Sequence, residues 1–223
     1  MTPVALKAKV KRPTQRPRWQ RRKEARPGEI VAAAVQVFVE RGFAATKLAD
    51  VARRAGVTKG TLYLYFASKE VLFKEMVRQT IVPAIASGEQ IVSAHTGTAA
   101  DLFRQITHGW WQRVGETNLS GIPKLMMAEA GNFPELARFY YDEVISRGHR
   151  LMASVLERGI ASGEFRPLDV SLGVRLALAP LLHAANWRHS WALCTREGFD
   201  VTRFIEYHVD IFLRGIAKHP AQD

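Results

Sequence analysis

The sequence predicts an all-α protein with a small amino-terminal head, and three features support this. Apolar residues recur at helical spacing, as in residues 30–41. No segment shows the sustained alternation of apolar and polar residues that is typical of a half-buried strand. Helix start and stop signals divide the chain into short elements up to residue 80 and longer ones after Pro83. We therefore expect a compact helical head followed by a larger helical body.

Composition limits the class of protein. The 223 residues are 47% hydrophobic, which is enough for a sizeable core. Charged residues interrupt every apolar run before it reaches the ~18 residues of a membrane-spanning helix, and residues 1–27 lack the apolar centre of a secretory signal. The single Cys194 excludes an internal disulfide framework and a multi-cysteine metal site. We therefore expect a cytoplasmic protein with no membrane segment.

Positive charge is concentrated near the amino terminus. Residues 1–27 contain ten Lys or Arg and one acid, so they carry +9 of the formal net charge of +11. This segment has four prolines and few apolar residues, which predicts a disordered arm. A basic arm is typical of a protein that meets a polyanion, nucleic acid before membrane, although it can also be only a solubilising tail.

Four short helices are predicted after the arm. Gly42 ends the first and Gly56 the second, because glycine favours termination. Thr46, Thr58 and Ser68 can cap the next three helices with their hydroxyl groups. The predicted helices cover residues 30–41, 46–55, 58–66 and 68–79. Helices this short must pack against one another, which gives a compact head.

Longer helices are predicted in the rest of the chain, between proline and glycine residues. They cover roughly residues 99–117, 121–130, 134–162, 168–193 and 200–217. The third would be about 43 Å long at 1.5 Å per residue if Gly148 does not interrupt it. We expect three parts, which are the arm 1–27, a compact head 28–74 and a larger helical domain 75–223.

The second and third predicted helices have the spacing of a helix-turn-helix, whose second helix enters the major groove of DNA. Close crossing needs a small residue on the first helix, which is Ala52. The tight turn needs a residue that tolerates positive φ, which is Gly56. The second helix needs an apolar residue that faces back, which is Leu62. This motif predicts double-stranded DNA as a partner.

A lysine follows the capping hydroxyl at each of three predicted helix starts. The pairs are Thr46-Lys47, Thr58-Lys59 and Ser68-Lys69. A cation in the first turn opposes the helix dipole and costs about 0.3 to 1 kcal/mol where it is exposed. Phosphate groups would supply the missing counter-charge, and helix amino ends also offer free amide donors. The alternative is that these are ordinary flexible surface lysines.

Gly60 lies inside the predicted recognition helix. Glycine costs about 1 kcal/mol relative to alanine within a helix, but it allows the helix to approach the groove closely. Thr58, Lys59 and Thr61 then face base edges or phosphates.

Two tyrosines accompany this helix. Tyr63 and Tyr65 are two positions apart and cannot share a helix face. Leu62 and Phe66 take the core side, so at least one tyrosine is exposed. A core role with a satisfied hydroxyl is the alternative for Tyr65.

The chain resembles the tetracycline-repressor (TetR) family of bacterial transcriptional regulators over residues 29–73, which read EIVAAAVQVFVERGFAATKLADVARRAGVTKGTLYLYFASKEVLF. The resemblance implies a three-helix DNA-binding head and a larger ligand-binding and dimerisation domain. It implies that Tyr63, Tyr65 and Lys69 meet backbone phosphate or the groove rim. It also implies a homodimeric, sequence-specific regulator, most simply a repressor released from DNA by a small-molecule effector. The alternative is a nucleoid- or RNA-associated protein that binds mainly through its basic arm.

The last two helices are candidates for the dimer interface. The resemblance implies that they form an intersubunit four-helix bundle, although ordinary core packing would give the same pattern. Residues 168–193 are rich in small and apolar side chains. One apolar stripe of the last helix comprises Phe204, Ile205, His208, Phe212 and Ile216.

A ligand pocket is implied in the same domain. Aromatic, methionine and polar residues on the surrounding helices support it, but such residues can equally form core. The candidates are Phe103, His108, Trp110, Met126, Met127, Tyr140, His183 and Trp187.

Catalytic function is not predicted. Cys194 has no local nucleophile signature, and His183 and His189 are six positions apart, unlike the i, i+4 pair of a helical zinc site. The sequence contains neither a phosphate loop nor a Rossmann fingerprint. We therefore predict no catalytic residue, no metal and no cofactor.

Overall fold

The computed structural model describes residues 18–195 and 198–218, and their regular structure is helical. The α-helices are α1 (Arg18–Ala45), α2 (Leu48–Arg54), α3 (Lys59–Tyr63), α4 (Lys69–Thr80), α5 (Val82–Ala94), α6 (Ala99–Trp110), α7 (Gly121–Glu129), α8 (Pro134–Tyr140), α9 (Ser146–Ala161), α10 (Val170–Arg188) and α11 (Val201–Ile216). Two π-helical stretches, Trp111–Gly115 and Tyr141–Ile145, extend α6 and join α8 to α9. Short 3-10 turns lie at Asn118–Ser120 and Trp191–Leu193. The all-α prediction is confirmed.

Helix α1 starts earlier than the sequence predicted. It begins at Arg18 and passes through Pro27, and a φ of 80° at Gly42 kinks it near its end. Proline removes one amide donor without ending this helix. The predicted arm therefore overlaps α1 over residues 18–27, residues 1–17 lie outside the described residues, and the division of the chain at residue 27 stays a prediction.

Three phenylalanines form the centre of the head. The ring centroids of Phe38, Phe43 and Phe73 lie 5.3 to 5.6 Å apart. Phe133, which precedes α8, packs edge-on against Phe43 at 4.7 Å. The core of the head therefore continues into the body, and α4 runs through the predicted domain boundary at residue 74.

Helix α5 was missing from the predicted elements. Pro83 lies in its first turn, where an amide donor is not needed. Gly88 packs so closely against α9 that an added Cβ would lie 2.7 Å from Leu151 Cδ2. Pro83 thus marks the start of this helix and Gly88 a close contact with α9, and neither residue breaks the helix.

The body packs α5, α6, α9, α10 and α11 against one another. Its own core includes Phe103 on α6, which stacks on Phe212 of α11 at 5.0 Å. The predicted helix over 134–162 is one continuous helical path, because the π-helical stretch joins α8 to α9 and Gly148 does not interrupt it. Within the described ranges, no helix has the length and apolar character needed to cross a membrane.

Candidate nucleic-acid interface and ligand cavity

The turn between α2 and α3 is as tight as the motif requires. Gly56 has a φ of 65°, a conformation that glycine adopts without strain. The Val57 N–H donates to the Ala52 carbonyl at 3.0 Å. Ala52 and Leu62 are buried in the core of the head. The predicted helix-turn-helix geometry is confirmed.

Helix α3 presents a polar surface to solvent. The Thr58 hydroxyl accepts a hydrogen bond from the Thr61 N–H at 3.1 Å and caps the helix, as predicted. Thr58, Lys59 and Gly60 are exposed, and so is 46% of Tyr63. These residues are therefore accessible to a partner.

No neighbour within the protein explains the glycine at Gly60. Its φ is not positive, and an added Cβ would meet only Thr58 Oγ1, at 3.9 Å. Alanine would therefore fit and would be the better helix former. A glycine at this point is consistent with the close approach of a partner outside the chain.

A shallow groove of about 480 Å³ lies where the amino ends of α2, α3 and α4 meet. Lys47, Lys59 and Tyr63 line it, and Lys59 Nζ lies 5.7 Å from the Tyr63 ring centroid. Among the described residues no carboxylate forms an ion pair with Lys47 or Lys59, whereas Arg54 pairs with Glu40 at 2.6 Å and lowers the pKa of that carboxyl. The groove thus combines uncompensated positive charge with helix amino ends, which suits phosphate.

Thr46 does not cap α2. It is 2% exposed, and its hydroxyl donates to the Gly42 carbonyl at 2.7 Å. Helix α2 begins after Lys47 without a side-chain cap. The predicted cap is wrong, whereas a contact between Thr46, which lines the groove, and DNA stays a prediction.

Lys69 is engaged within the protein. Its Nζ donates to the carbonyls of Phe43 and Ala44, at 2.7 and 3.1 Å, and lies 4.5 Å from the Phe43 ring centroid. The carboxyl end of α1 therefore compensates this charge within the protein, and because Lys69 also lines the groove, a contact between Lys69 and phosphate stays a prediction. Ser68 caps α4 as predicted, because its hydroxyl accepts from the Val71 N–H at 3.2 Å.

Tyr65 occupies an intermediate position. It is half-buried, and its ring centroid lies 6.4 Å from that of Phe66. This placement fits both interpretations, so a contact between Tyr65 and DNA stays a prediction.

The body contains a cavity of about 640 Å³, a volume typical of small-molecule sites. Helices α5 to α10 surround it, and aliphatic and methionine side chains supply most of its wall. Both π-helical stretches contribute to the wall, through Arg113 and Val114 in the first and Val144 in the second. Such stretches are rare and frequently occur at functional sites.

Half of the predicted pocket residues lie on this wall. They are Trp110, Met126, Met127 and Tyr140. The residues that do not line the cavity are Phe103, His108, His183 and Trp187. Only the first four thus lie where a ligand in this cavity would meet them, and which residues bind a ligand stays a prediction.

Packing explains where the misplaced candidates lie. Phe103 is fully buried against Phe212 in the core between α6 and α11. His183 and Trp187 form an aromatic cluster with Phe204, in which the His183 ring lies 6.1 Å from Trp187 and 5.9 Å from Phe204. His108 is half-buried on α6 but faces away from the wall that its neighbours form.

Several polar residues of the cavity wall were not among the predicted pocket residues. They are Gln105, Thr107, Arg113, Arg138, Tyr141 and His149. Burial raises the pKa of the Tyr140 phenol, and burial together with the charge of Arg175 lowers the pKa of His149. Thr107 follows Ile106 in the apolar stripe of α6, and that polar interruption is the signal that could have identified it.

Helix α7 connects the cavity to the head. Met126 and Met127 of α7 line the cavity, and Glu129 at its end accepts a hydrogen bond from the Ala44 N–H at 3.0 Å. Gly121 packs against α1 so closely that an added Cβ would lie 2.4 Å from Val39 Cγ1. One short helix thus contacts both the cavity and helix α1 of the head.

The outer faces of α10 and α11 expose apolar side chains. Leu172 and Leu176 of α10 are 59% and 65% exposed, and Tyr207 and Ile211 of α11 are 66% and 54% exposed. The stripe predicted on α11 is different. Its members are buried or half-buried, so core packing accounts for Phe204, Ile205, His208, Phe212 and Ile216.

These two sites define a class of protein. A helix-turn-helix head with an exposed recognition helix, joined to a helical body with an apolar cavity, is the architecture of a DNA-binding transcriptional regulator that carries its own ligand domain.

Comparison with known proteins gives the family. A family profile for bacterial regulatory proteins of the tetR family matches residues 30–76, and one for the tetracyclin repressor-like C-terminal domain matches residues 93–192. The transcriptional repressor KstR2 from Mycolicibacterium smegmatis is 31% identical over 172 residues, which are 73% of this chain and 79% of that protein. The chain belongs to the TetR family of transcriptional regulators.

Solved structures agree with this assignment. The ketosteroid transcriptional regulator KstR2 of Mycobacterium tuberculosis matches with a TM-score of 0.69 and 27% identity, over 87% of this chain and 96% of that chain. The regulator FadR of Bacillus subtilis, in complex with stearoyl-CoA, matches with a TM-score of 0.66 and 22% identity, over 85% of this chain and 98% of that chain. The second comparison supports the fold.

Proposed function

We propose that the protein is a homodimeric repressor that binds its operator through two heads and is released when an effector occupies the cavity. The observation that carries the proposal is that one chain has both an exposed α3 surface and an apolar cavity. The core of the head continues into the body, and α7 contacts both the cavity and α1 of the head. The protein acts in the cytoplasm, where the chromosome is, and has no catalytic turnover.

The DNA contacts come from two kinds of residue. Thr58, Lys59 and Thr61 on α3 meet base edges or adjacent phosphates in the major groove. Lys47 and Tyr63 hold the phosphate backbone at the rim, because they line the groove at the helix amino ends. Gly60 permits the close approach of α3 to the DNA.

Dimerisation uses the outer faces of α10 and α11. The exposed leucines of α10 and the exposed Tyr207 and Ile211 of α11 supply an apolar surface of the kind that two-fold interfaces bury. A dimer would place its heads on half-sites about 34 Å apart, or a multiple of that spacing.

The cavity favours a lipid-like effector. Its wall is mostly carbon, whereas Arg113 and Arg138 on the same wall are exposed and suit an anionic group at the solvent end of the ligand. The structure of FadR holds stearoyl-CoA and the M. tuberculosis KstR2 is named for ketosteroids, which supports this class for the present cavity.

Gel shifts with the DNA that flanks its own gene test the proposal. We expect a sequence-specific complex whose affinity falls steeply with salt, and Lys59→Ala should reduce the slope of log K against log salt by about 1 for each lost phosphate contact. Lys218→Ala, an exposed lysine after α11, is the matched control and should leave the slope unchanged. Failure to form a specific complex with any flanking fragment, or equal slopes for the two variants, would refute the proposal.

A further inference from the structure

One buried polar group on the cavity wall has no partner within the described protein. Thr107 on α6 is 1% exposed, and its hydroxyl makes no hydrogen bond to any described residue. Other helical hydroxyls turn back to the preceding turn, as Thr80 does to the Met76 carbonyl at 2.6 Å and Ser146 to the Asp142 carbonyl at 2.8 Å. Buried polar groups in proteins are nearly always paired, and since Thr107 lines the cavity, an occupant of the cavity is the available partner for its hydroxyl.

The other polar residues of the wall indicate what kind of atom this is. Arg113 and Arg138 are exposed, so the cationic groups lie towards solvent. Tyr140 is the other buried hydroxyl residue of the wall, and burial raises the pKa of its phenol, which therefore stays neutral. Burial also lowers the pKa of the half-buried His149, which favours its neutral form. A charged ligand group at Thr107 would lie in a wall of carbon and neutral groups without a counter-ion, and this is costly.

We propose that the effector is a mainly apolar molecule that carries a neutral oxygen, a keto or hydroxyl group, on its buried part, and that Thr107 binds this oxygen and selects for it. A threonine hydroxyl can donate to a ketone or accept from an alcohol. A site that hydrogen-bonds a ligand oxygen rejects the analogue without it, because the buried protein group is then left unpaired. Thr107 is thus a specificity-determining residue, and an unsubstituted hydrocarbon chain is a poor effector. The inference rests on the proposed function only in taking the cavity as the effector site.

Direct binding to the purified full-length protein tests this inference. The probes are octadecanoic acid with its oxo and hydroxy positional isomers, and 5α-androstane with androst-4-ene-3,17-dione. Quenching of tryptophan fluorescence reports occupancy, because Trp110 lines the cavity. We expect at least one oxygenated probe to bind about tenfold or more tightly than its unsubstituted parent, a preference worth one buried hydrogen bond.

Two variants assign that preference to one atom. Thr107→Val keeps the shape of the side chain and removes the hydroxyl, so the oxygenated probe and its parent should bind within about twofold of each other. Thr107→Ser keeps the hydroxyl and should keep the preference. Thr80→Val is the control, because the Thr80 hydroxyl is already paired and lies outside the cavity. Without a probe, Thr107→Val should melt at or above the melting temperature of the unmodified protein, because it no longer buries an unpaired hydroxyl. If the Thr107→Val protein does not fold, Thr107→Ala replaces it in the same measurements.

The inference is overturned if each oxygenated probe binds as tightly as its parent, or if the preference survives in Thr107→Val. It is also overturned if no oxygenated probe binds. A gel shift with the operator and no probe tests DNA binding by itself, so failure of the inference can be told apart from failure of the proposed function. A protein that binds its operator and is released by octadecanoic acid as readily as by the oxygenated acids would retain the proposed function and lose the inference.

Discussion

At the scale of residues, Gly60 separates the demands of folding from those of DNA binding. Within the chain, alanine would fit at this position, so Gly60→Ala should raise the free energy of unfolding by up to about 1 kcal/mol. The added methyl group projects from the exposed surface of α3, where we expect DNA, so operator affinity should fall about tenfold or more. Thermal melts and gel shifts on the same preparation measure the two effects.

Gly28→Ala is the matched control for this prediction. Gly28 lies in α1, is exposed, and an added Cβ would meet no atom within 4 Å. The control should gain stability without losing operator affinity. Unchanged operator affinity in Gly60→Ala would show that the glycine does not serve DNA approach.

The lysines show how far residue-level reasoning from sequence can go. A cation in the first turn of a helix opposes the helix dipole, and Lys59 lies exposed at the start of α3 without an anionic partner among the described residues. That the carbonyls of Phe43 and Ala44 accept hydrogen bonds from Lys69 could not be foreseen from the sequence. Sequence spacing reveals an unmet electrostatic need, but only tertiary structure reveals what meets it.

At the scale of elements, α7 is one connection between the head and the cavity. We predict that Glu129→Ala weakens the coupling between effector and operator, because it removes the acceptor that holds the Ala44 N–H at the end of α1. The ratio of operator affinities without and with effector should fall about threefold to tenfold, while effector affinity in the absence of DNA stays close to its normal value. Gel shifts at a series of effector concentrations, together with direct effector titrations, measure both quantities.

Glu135→Ala provides the control for the coupling prediction. Glu135 lies exposed in the first turn of α8 and makes no ion pair among the described residues. Its release curves should coincide with those of the unmodified protein. If Glu129→Ala also gives coincident curves, α7 does not carry the signal through this hydrogen bond.

Element prediction succeeded where start and stop signals had their usual meaning. Gly56 ends α2 in a left-handed conformation, and Thr58 and Ser68 cap the helices that follow. It failed at α5, because Pro83 is a breaker in the middle of a helix but acceptable in the first turn. The π-helical stretches were not predicted from the sequence.

At the scale of the whole molecule, the class and architecture were predictable, but the distribution of empty space was not. Phe103 and Trp110 both lie on α6 at positions compatible with a pocket, yet one fills the core and the other lines the cavity. Helical periodicity shows that a side chain faces inward and does not show whether another atom occupies the space it faces. The same limit applies to α11, where the predicted stripe is core and the exposed apolar residues are Tyr207 and Ile211.

The exposed faces of α10 and α11 lead to a prediction about assembly. Leu176→Glu places a charge on an apolar side chain that is 65% exposed in the isolated chain and would be buried in the proposed dimer. We expect the variant to be monomeric in sedimentation measurements and to bind a two-fold operator at least about a hundredfold more weakly, because each head then binds its half-site alone. Its melting temperature measured at low protein concentration should change little, since the substitution does not enter the core.

Ala161→Glu, at the exposed end of α9, is the control and should remain dimeric. A Leu176→Glu protein that sediments as a dimer with normal operator affinity would exclude this face as the interface.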